Sequence, residues 1–184
     1  MELPHENLSK LMLGAWLDDT IINAYVSLLQ RKAQTNQNTN IIVVDTFFFA
    51  SLLRVGVDIN LRNFGGRPDW LIAPVHCPTR QHWYLVCADF QSRLIICMDS
   101  IYDDHTANMS LSLMRDFCTR LAPGSPWCTY AASVPQQGNQ SDCGAYVLMY
   151  AEALVRRAPI QPYEGNVGQK LRIAIKDQLL ASYH

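Results

Sequence analysis

Apolar residues at Leu17, Ile21, Ile22, Tyr25, Leu28 and Leu29 recur at the spacing of one helix face, so WLDDTIINAYVSLLQRKA is predicted to be a helix. Asp18 and Asp19 stand near its start, where a helix dipole favours negative charge. The polar run QTNQNTN predicts a loop, and the β-branched IIVVD a strand or a buried turn. TFFFASLLRVG reads as a short helix ending near Gly56, and NFGGRPD as a loop by its Gly and Pro content. Three strand-like runs follow, WLIAPVHC, HWYLVCADF and RLIICMDS. MSLSLMRDFCTRLA predicts a long helix closed by Pro123 and Gly124, WCTYAASV a fourth strand, and DCGAYVLMYAEALVRRA a helix stopped by Pro159. VGQKLRIAIKDQLLASYH predicts a C-terminal helix. Helices, then a strand block, then strand and helix in alternation imply an α+β fold with a mostly antiparallel central sheet. A chain of 184 residues is expected to form one domain over 1–184, with a mostly helical part at 1–60 and the sheet and later helices at 69–184.

Composition narrows the classes. With 49% hydrophobic and 17% charged residues, the chain is that of an ordinary globular protein. Its formal charge of -1 and the lack of a Lys/Arg run or basic stripe argue against a nucleic-acid partner. No apolar segment reaches the ~18 residues of a transmembrane helix, so no membrane partner is expected. The opening MELPHENLSK lacks the basic and apolar regions of a signal peptide. There are six cysteines and no C-x-x-C pair, which weakens a zinc reading. Cys77, Cys87, Cys97, Cys118 and Cys128 are read as reduced core thiols, as expected of a nuclear or cytoplasmic protein.

Cys143 stands apart. It follows VPQQGNQSD and opens an apolar helix, where the positive end of the dipole and a nearby imidazolium would both favour the thiolate, the nucleophilic form. If the second and third strand-like runs form a hairpin turning at Gln91-Ser92, Phe90 faces Arg93 and His82 faces position 101. His82 and Asp99 then share a sheet face as diagonal neighbours, within reach of each other. A three-residue loop would instead set them on opposite faces. A carboxylate on one imidazole nitrogen fixes the tautomer and leaves the other nitrogen for a thiol proton. Gln137, upstream in the same loop as Cys143, carries an amide suited to an oxyanion, alongside the Cys143 N–H. His76 is a competing base, and Ser141 a competing nucleophile without the G-x-S-x-G setting.

In five blocks, met in family order, the chain resembles the catalytic domain of the SUMO-specific cysteine proteases, the Ulp/SENP family of ubiquitin-like protein proteases. GAWLDDTIINAYVSLL resembles the W-L-N-D-x-x-I-N-x-Y helix, and VDTFFFASL the N-T-F-F-F block. LIAPVHCPTRQHWYLVCADF resembles the strand pair with P-[IV]-H and H-W, and ICMDS the Y-D-S block. VPQQGNQSDCGAYVLMYAEAL resembles the P-Q-Q-x-N-x-x-D-C-G nucleophile loop and helix. The resemblance implies a papain-like fold, with His82 as general base, Asp99 orienting it, Cys143 as nucleophile and Gln137 as oxyanion donor. It also implies cleavage after a Gly-Gly terminus held between Trp16 and Trp83, and modifier contacts at Asp19, Phe47, Arg62 and His76. SUMO is the modifier it implies, on a monomeric enzyme without metal or organic cofactor.

The chain departs from the family pattern in places. Asp18 replaces the usual Asn, Asn63 and Phe64 follow Arg62 where a Trp is often found, Gly138 replaces a larger residue, and two extra residues separate His76 from His82. The rival expectations are the same chemistry on ubiquitin or another modifier, a YopJ-like acyltransferase, and an inert modifier-binding module.

Overall fold

The computed structural model describes residues 8–12, 14–35, 40–56, 66–160 and 166–182. After a 3-10 turn at Ser9–Leu11, helix α1 spans Asp19–Gln34. Asp18 caps it, its carboxylate accepting from the Ile21 N–H at 3.2 Å, which satisfies one of the orphan donors of the first turn. The predicted apolar stripe is buried, with Ile21, Ile22 and Leu29 fully so, and packs on helix α4 at Cys143–Arg156. IIVVD resolves as strand β1, Ile41–Val43. Helix α2, Phe47–Val55, ends at Gly56, whose φ of 66° lies in the left-handed region that glycine adopts freely.

The strand block forms as β2 (Trp70–Cys77), β3 (His82–Asp89) and β4 (Leu94–Met98), with β5 at Cys128–Ala131. The order across the sheet is β1-β2-β3-β4-β5. The antiparallel ladders β2–β3 and β3–β4 are the longest, at eight and five residue pairs. The two edge strands add parallel pairings of three and four, so the sheet is mixed. β1 and β5 pair in parallel because each joins its partner through a helix or a long crossing segment rather than a hairpin.

Both faces are covered. Ile72, Leu85 and Cys87 face the core shared with α1, α4 and α5 (Val167–Ala181), and Leu71, Ala73, Tyr84 and Val86 face the one shared with α2 and α3 (Asp104–Leu121). Such two-sided burial is why β3 reads as an almost unbroken apolar run.

Two expectations change. Helix α3 begins at Asp104, five residues before the apolar periodicity: Asp103 caps it by accepting from the Thr106 N–H at 2.8 Å, and its first turn is polar. Cys128 is exposed on edge strand β5 and is no core thiol, whereas Cys77, Cys87, Cys97 and Cys118 are buried and free.

Candidate active site

The β3–β4 register runs from Asp89 opposite Leu94 to Leu85 opposite Met98, the one expected for a turn at Gln91-Ser92. Asp89 folds that turn, its Oδ1 accepting from the Gln91 and Ser92 N–H groups. His82 therefore opens β3, and Asp99 lies one residue past the end of β4 on the same edge. His82 Nε2 meets Asp99 Oδ1 at 2.5 Å, with both side chains buried. With Nε2 occupied, Nδ1 is the nitrogen left for the hydrogen bond between His82 and Cys143. Cys143 is the first residue of α4 and is 3% exposed.

Burial, the largest influence on His82, disfavours its charge. The hydrogen bonds to Asp99 and Cys143, and the charges of both partners, outweigh it and raise the imidazole to about 9. Asp99 is itself held: its Oδ1 also accepts from the Ile101 N–H at 2.9 Å, its Oδ2 from Arg80 at 3.2 Å, and its carbonyl from Gln136 Nε2 at 2.9 Å.

The loop carrying Cys143 is locked from both sides. Asp142 makes no side-chain cap to α4. Its carboxylate instead accepts from Arg172 Nε at 2.8 Å and Asn139 Nδ2 at 2.7 Å, while its carbonyl starts the helix ladder at Tyr146. The first-turn N–H groups of α4 thus receive no cap from Asp142. Gly144 lies where a Cβ would come 2.8 Å from Leu17 Cβ, so the Cys-Gly pair lets the segment after Trp16 rest directly on the first turn of the helix. Gln137 Oε1 accepts from the Ser100 hydroxyl at 2.6 Å, and its Nε2 donates to the Asn139 carbonyl at 2.6 Å, leaving the second amide hydrogen uncommitted by that bond.

A cleft of about 620 Å³ reaches Cys143. Trp16, Asp19, Phe47, His76 and Trp83, five of the six residues expected to contact the modifier, line it. Trp16 and Phe47 are half-exposed, as a docking residue must be. Trp83 is buried, its indole N–H donating to the Leu17 carbonyl at 2.9 Å, and the His76 ring packs on it with centroids 4.6 Å apart. Arg62 lies outside the described residues. His76 is lowered by burial, against the pull of Asp19, and its ring rests on Trp83. Among the described residues the Ser141 hydroxyl donates to Asn139 Oδ1 and hydrogen-bonds to no histidine.

Sequence reasoning missed Gln136, Asp142, Arg80 and Arg172. Arg172 carried a visible signal: it shares the apolar face of α5 with Leu171, Ile175 and Leu179, where a charge demands a buried partner. It is 2% exposed and donates to Asp142 and to the carbonyls of Lys10, Met12, Ala15 and Ser141. Gly168 permits this packing, since a Cβ there would overlap the Asp142 carboxylate.

An α+β fold whose sheet edge sets a His–Asp pair against a cysteine at a helix N-terminus defines the papain-like cysteine peptidases. The sequence model of the Ulp1 protease family, C-terminal catalytic domain, matches residues 15–181, and the chain belongs to that family. Human sentrin-specific protease 2 is 26% identical over 158 residues, which cover 79% of this chain and 26% of that protein. Mouse sentrin-specific protease 5 is 26% identical over 174 residues, covering 86% and 22%. The chain thus spans about a quarter of the length of the curated relatives it matches. Among solved structures, the Ulp1 protease domain in complex with Smt3, the yeast ortholog of SUMO, superposes with a TM-score of 0.81 at 20% identity, over 97% of this chain and 82% of that one. The Chlamydia trachomatis effector Cdu1 bound to ubiquitin gives 0.58 at 17% identity, over 94% and 96%. Both likenesses concern the fold. Among the described residues no helix is long and apolar enough to cross a membrane.

Proposed function

We propose that this chain is a one-domain cysteine peptidase and isopeptidase that cleaves after the C-terminal Gly-Gly of SUMO. The observation that carries the reading is the continuity of the cleft, in which Trp16 and Trp83 share walls with Cys143, together with the interaction of Cys143 with His82, which is itself hydrogen-bonded to Asp99. Glycine alone has no side chain, so a slot bounded by indoles selects a Gly-Gly tail by exclusion. Asp19, Phe47 and His76 border the same cleft and serve as contacts for the folded modifier, with Arg62 as a further contact.

The chemistry follows from the geometry. The Cys143 thiol gives its proton to His82 Nδ1, and Sγ attacks the carbonyl carbon of the terminal glycine. The Cys143 N–H and the Gln137 amide stabilise the oxyanion that forms. The His82 imidazolium, held in place by Asp99, protonates the departing lysine amine, leaving a thioester on Cys143. Water, its proton taken by His82, then attacks the thioester and restores the thiol. Each step uses groups of this chain and water, so no cofactor is called for.

SUMO is favoured over ubiquitin by the family match and by the sentrin-specific relatives. A nuclear or cytoplasmic setting, where thiols stay reduced, suits both the nucleophile and the four buried free cysteines. Vinyl-sulfone probes built on SUMO and on ubiquitin test the reading. A SUMO adduct that is lost in Cys143→Ala supports it. Labelling by the ubiquitin probe alone would move the substrate to ubiquitin, and transfer of acetyl from acetyl-CoA without modifier cleavage would favour an acyltransferase.

A further inference from the structure

The turn between β2 and β3 holds the two residues by which this chain exceeds the spacing of the family pattern, and it delivers an arginine to the acid. Cys77 pairs with His82, and the four residues Pro78, Thr79, Arg80 and Gln81 close the hairpin, with Gln81 in the left-handed region at φ 48°. From this turn Arg80 extends a fork over the end of β4. Its Nη1 donates to Asp99 Oδ2 at 3.2 Å and its Nη2 to the Ile101 carbonyl at 2.5 Å. Among the described residues Arg80 is the partner of Oδ2, while Oδ1 takes His82 and the Ile101 N–H. We infer that Arg80 is a positioning residue for the peptidase reaction, which fixes the rotation of the Asp99 carboxylate toward His82 and tempers that carboxylate's hold on the imidazolium proton.

The inference rests on the proposed roles of His82 and Asp99. It has a geometric and an electrostatic part. A carboxylate held on both oxygens presents Oδ1 to the imidazole in one orientation, whereas one held through Oδ1 alone can rotate. The fork also ties the turn that precedes His82 to the segment that carries Asp99, so the pair shares a single brace. Electrostatically, a guanidinium on Oδ2 draws charge away from the contact with His82 and repels the imidazolium. The other groups around the pair are the Cys143 thiol on α4, His76 on β2, Tyr84 on β3 with its ring 6.5 Å from that of His82, Cys97 on β4 and Tyr150 on α4. Among these and Asp99, Arg80 is the one permanent cation.

Arg80 is only partly buried and sits in a turn, so its variants are expected to fold. Two are compared with wild type. Arg80→Met keeps the length and loses charge and fork, and Arg80→Lys keeps the charge and loses the planar fork. One readout is the pH profile of kcat and of kcat/KM on a SUMO C-terminal fluorogenic substrate. The other is the titration of the His82 ring by NMR, which needs no substrate and so tests the inference even if SUMO is not cleaved. Arg80→Met is expected to lower kcat about tenfold and to move the His82 titration up by on the order of 0.5–1 pH unit. Arg80→Lys is expected to keep the wild-type titration and to recover part of kcat. An unmoved His82 titration in Arg80→Met, or a loss of kcat equal in both variants with no change in titration, would overturn the inference.

Discussion

At the scale of single residues, the proposed chemistry rests on how three side chains are held. His82 is buried yet raised to about 9, because Asp99 and Cys143 together outweigh the cost of burying its charge. An imidazolium is required to protonate the leaving amine, and a raised pKa preserves it through neutral pH. Activity is therefore expected to hold from neutrality toward pH 9 and to fall as pH rises through about 9. Asp99→Asn removes the charge that raises His82, so the alkaline fall should move toward the ordinary histidine value, with kcat reduced about 10³-fold or more. A pH series of kcat on wild type and variant reads both effects. Cys143→Ala should lose about 10⁴-fold or more in cleavage while still binding the modifier in a pull-down. Of these residues the sequence placed His82 and Asp99 together through one assumption, the even-numbered turn after β3, and singled out Cys143 separately, by its place at a helix start and by the family resemblance. The Asp89 carboxylate, by organising that turn, supplies its physical basis. Arg80 was illegible, because nothing in a lone turn arginine tells which carboxylate it will reach.

At the scale of elements, α4 and α5 are joined by the buried pair Arg172–Asp142, both 2% exposed. The same guanidinium gathers the chain around Lys10, Met12 and Ala15 and the carbonyl before Asp142, so one side chain ties the segment leading to Trp16 to the loop that presents Cys143. Removing Arg172 leaves the buried Asp142 carboxylate with the Asn139 amide but without its cation, and Arg172→Met should destabilise the fold by about 3–5 kcal/mol, read by urea denaturation. The double variant with Asp142→Asn should lose less than the two single losses added together, since neither charge is then stranded. Gly144 and Gly168 belong to this same junction: each leaves room for a neighbour that a methyl group would displace. The helices and strands themselves were legible from periodicity wherever one face is apolar. The first turn of α3 was not, because its start is marked by the Asp103 cap and a polar turn rather than by buried side chains.

At the scale of the molecule, the sheet separates two cores, and the site lies at the edge where β3 begins, β4 ends and α4 starts. The cleft there runs from Cys143 past Trp16 and Trp83 to α2 and α3. Trp16→Ala should lower kcat/KM by about 30-fold, as expected for an anchoring aromatic, and a SUMO precursor with alanine in place of its final glycine should resist cleavage. The overall class was legible because the order of elements restricts the fold. The parallel edge pairings were not, since IIVVD and WCTYAASV are too short and too weakly patterned to declare their partners.

The most direct test of the central claim compares two cysteines of this chain. Cys128 is exposed on an edge strand, and Cys143 is nearly buried beside His82. Accessibility alone makes Cys128 the faster to react with iodoacetamide, whereas activation by the imidazole makes Cys143 the faster. Peptide mapping after brief alkylation at pH 7 is predicted to find Cys143 modified first, and to find that preference lost in His82→Ala. Modification of Cys128 first in the wild type, or a Cys143 rate unchanged by loss of His82, would contradict the account.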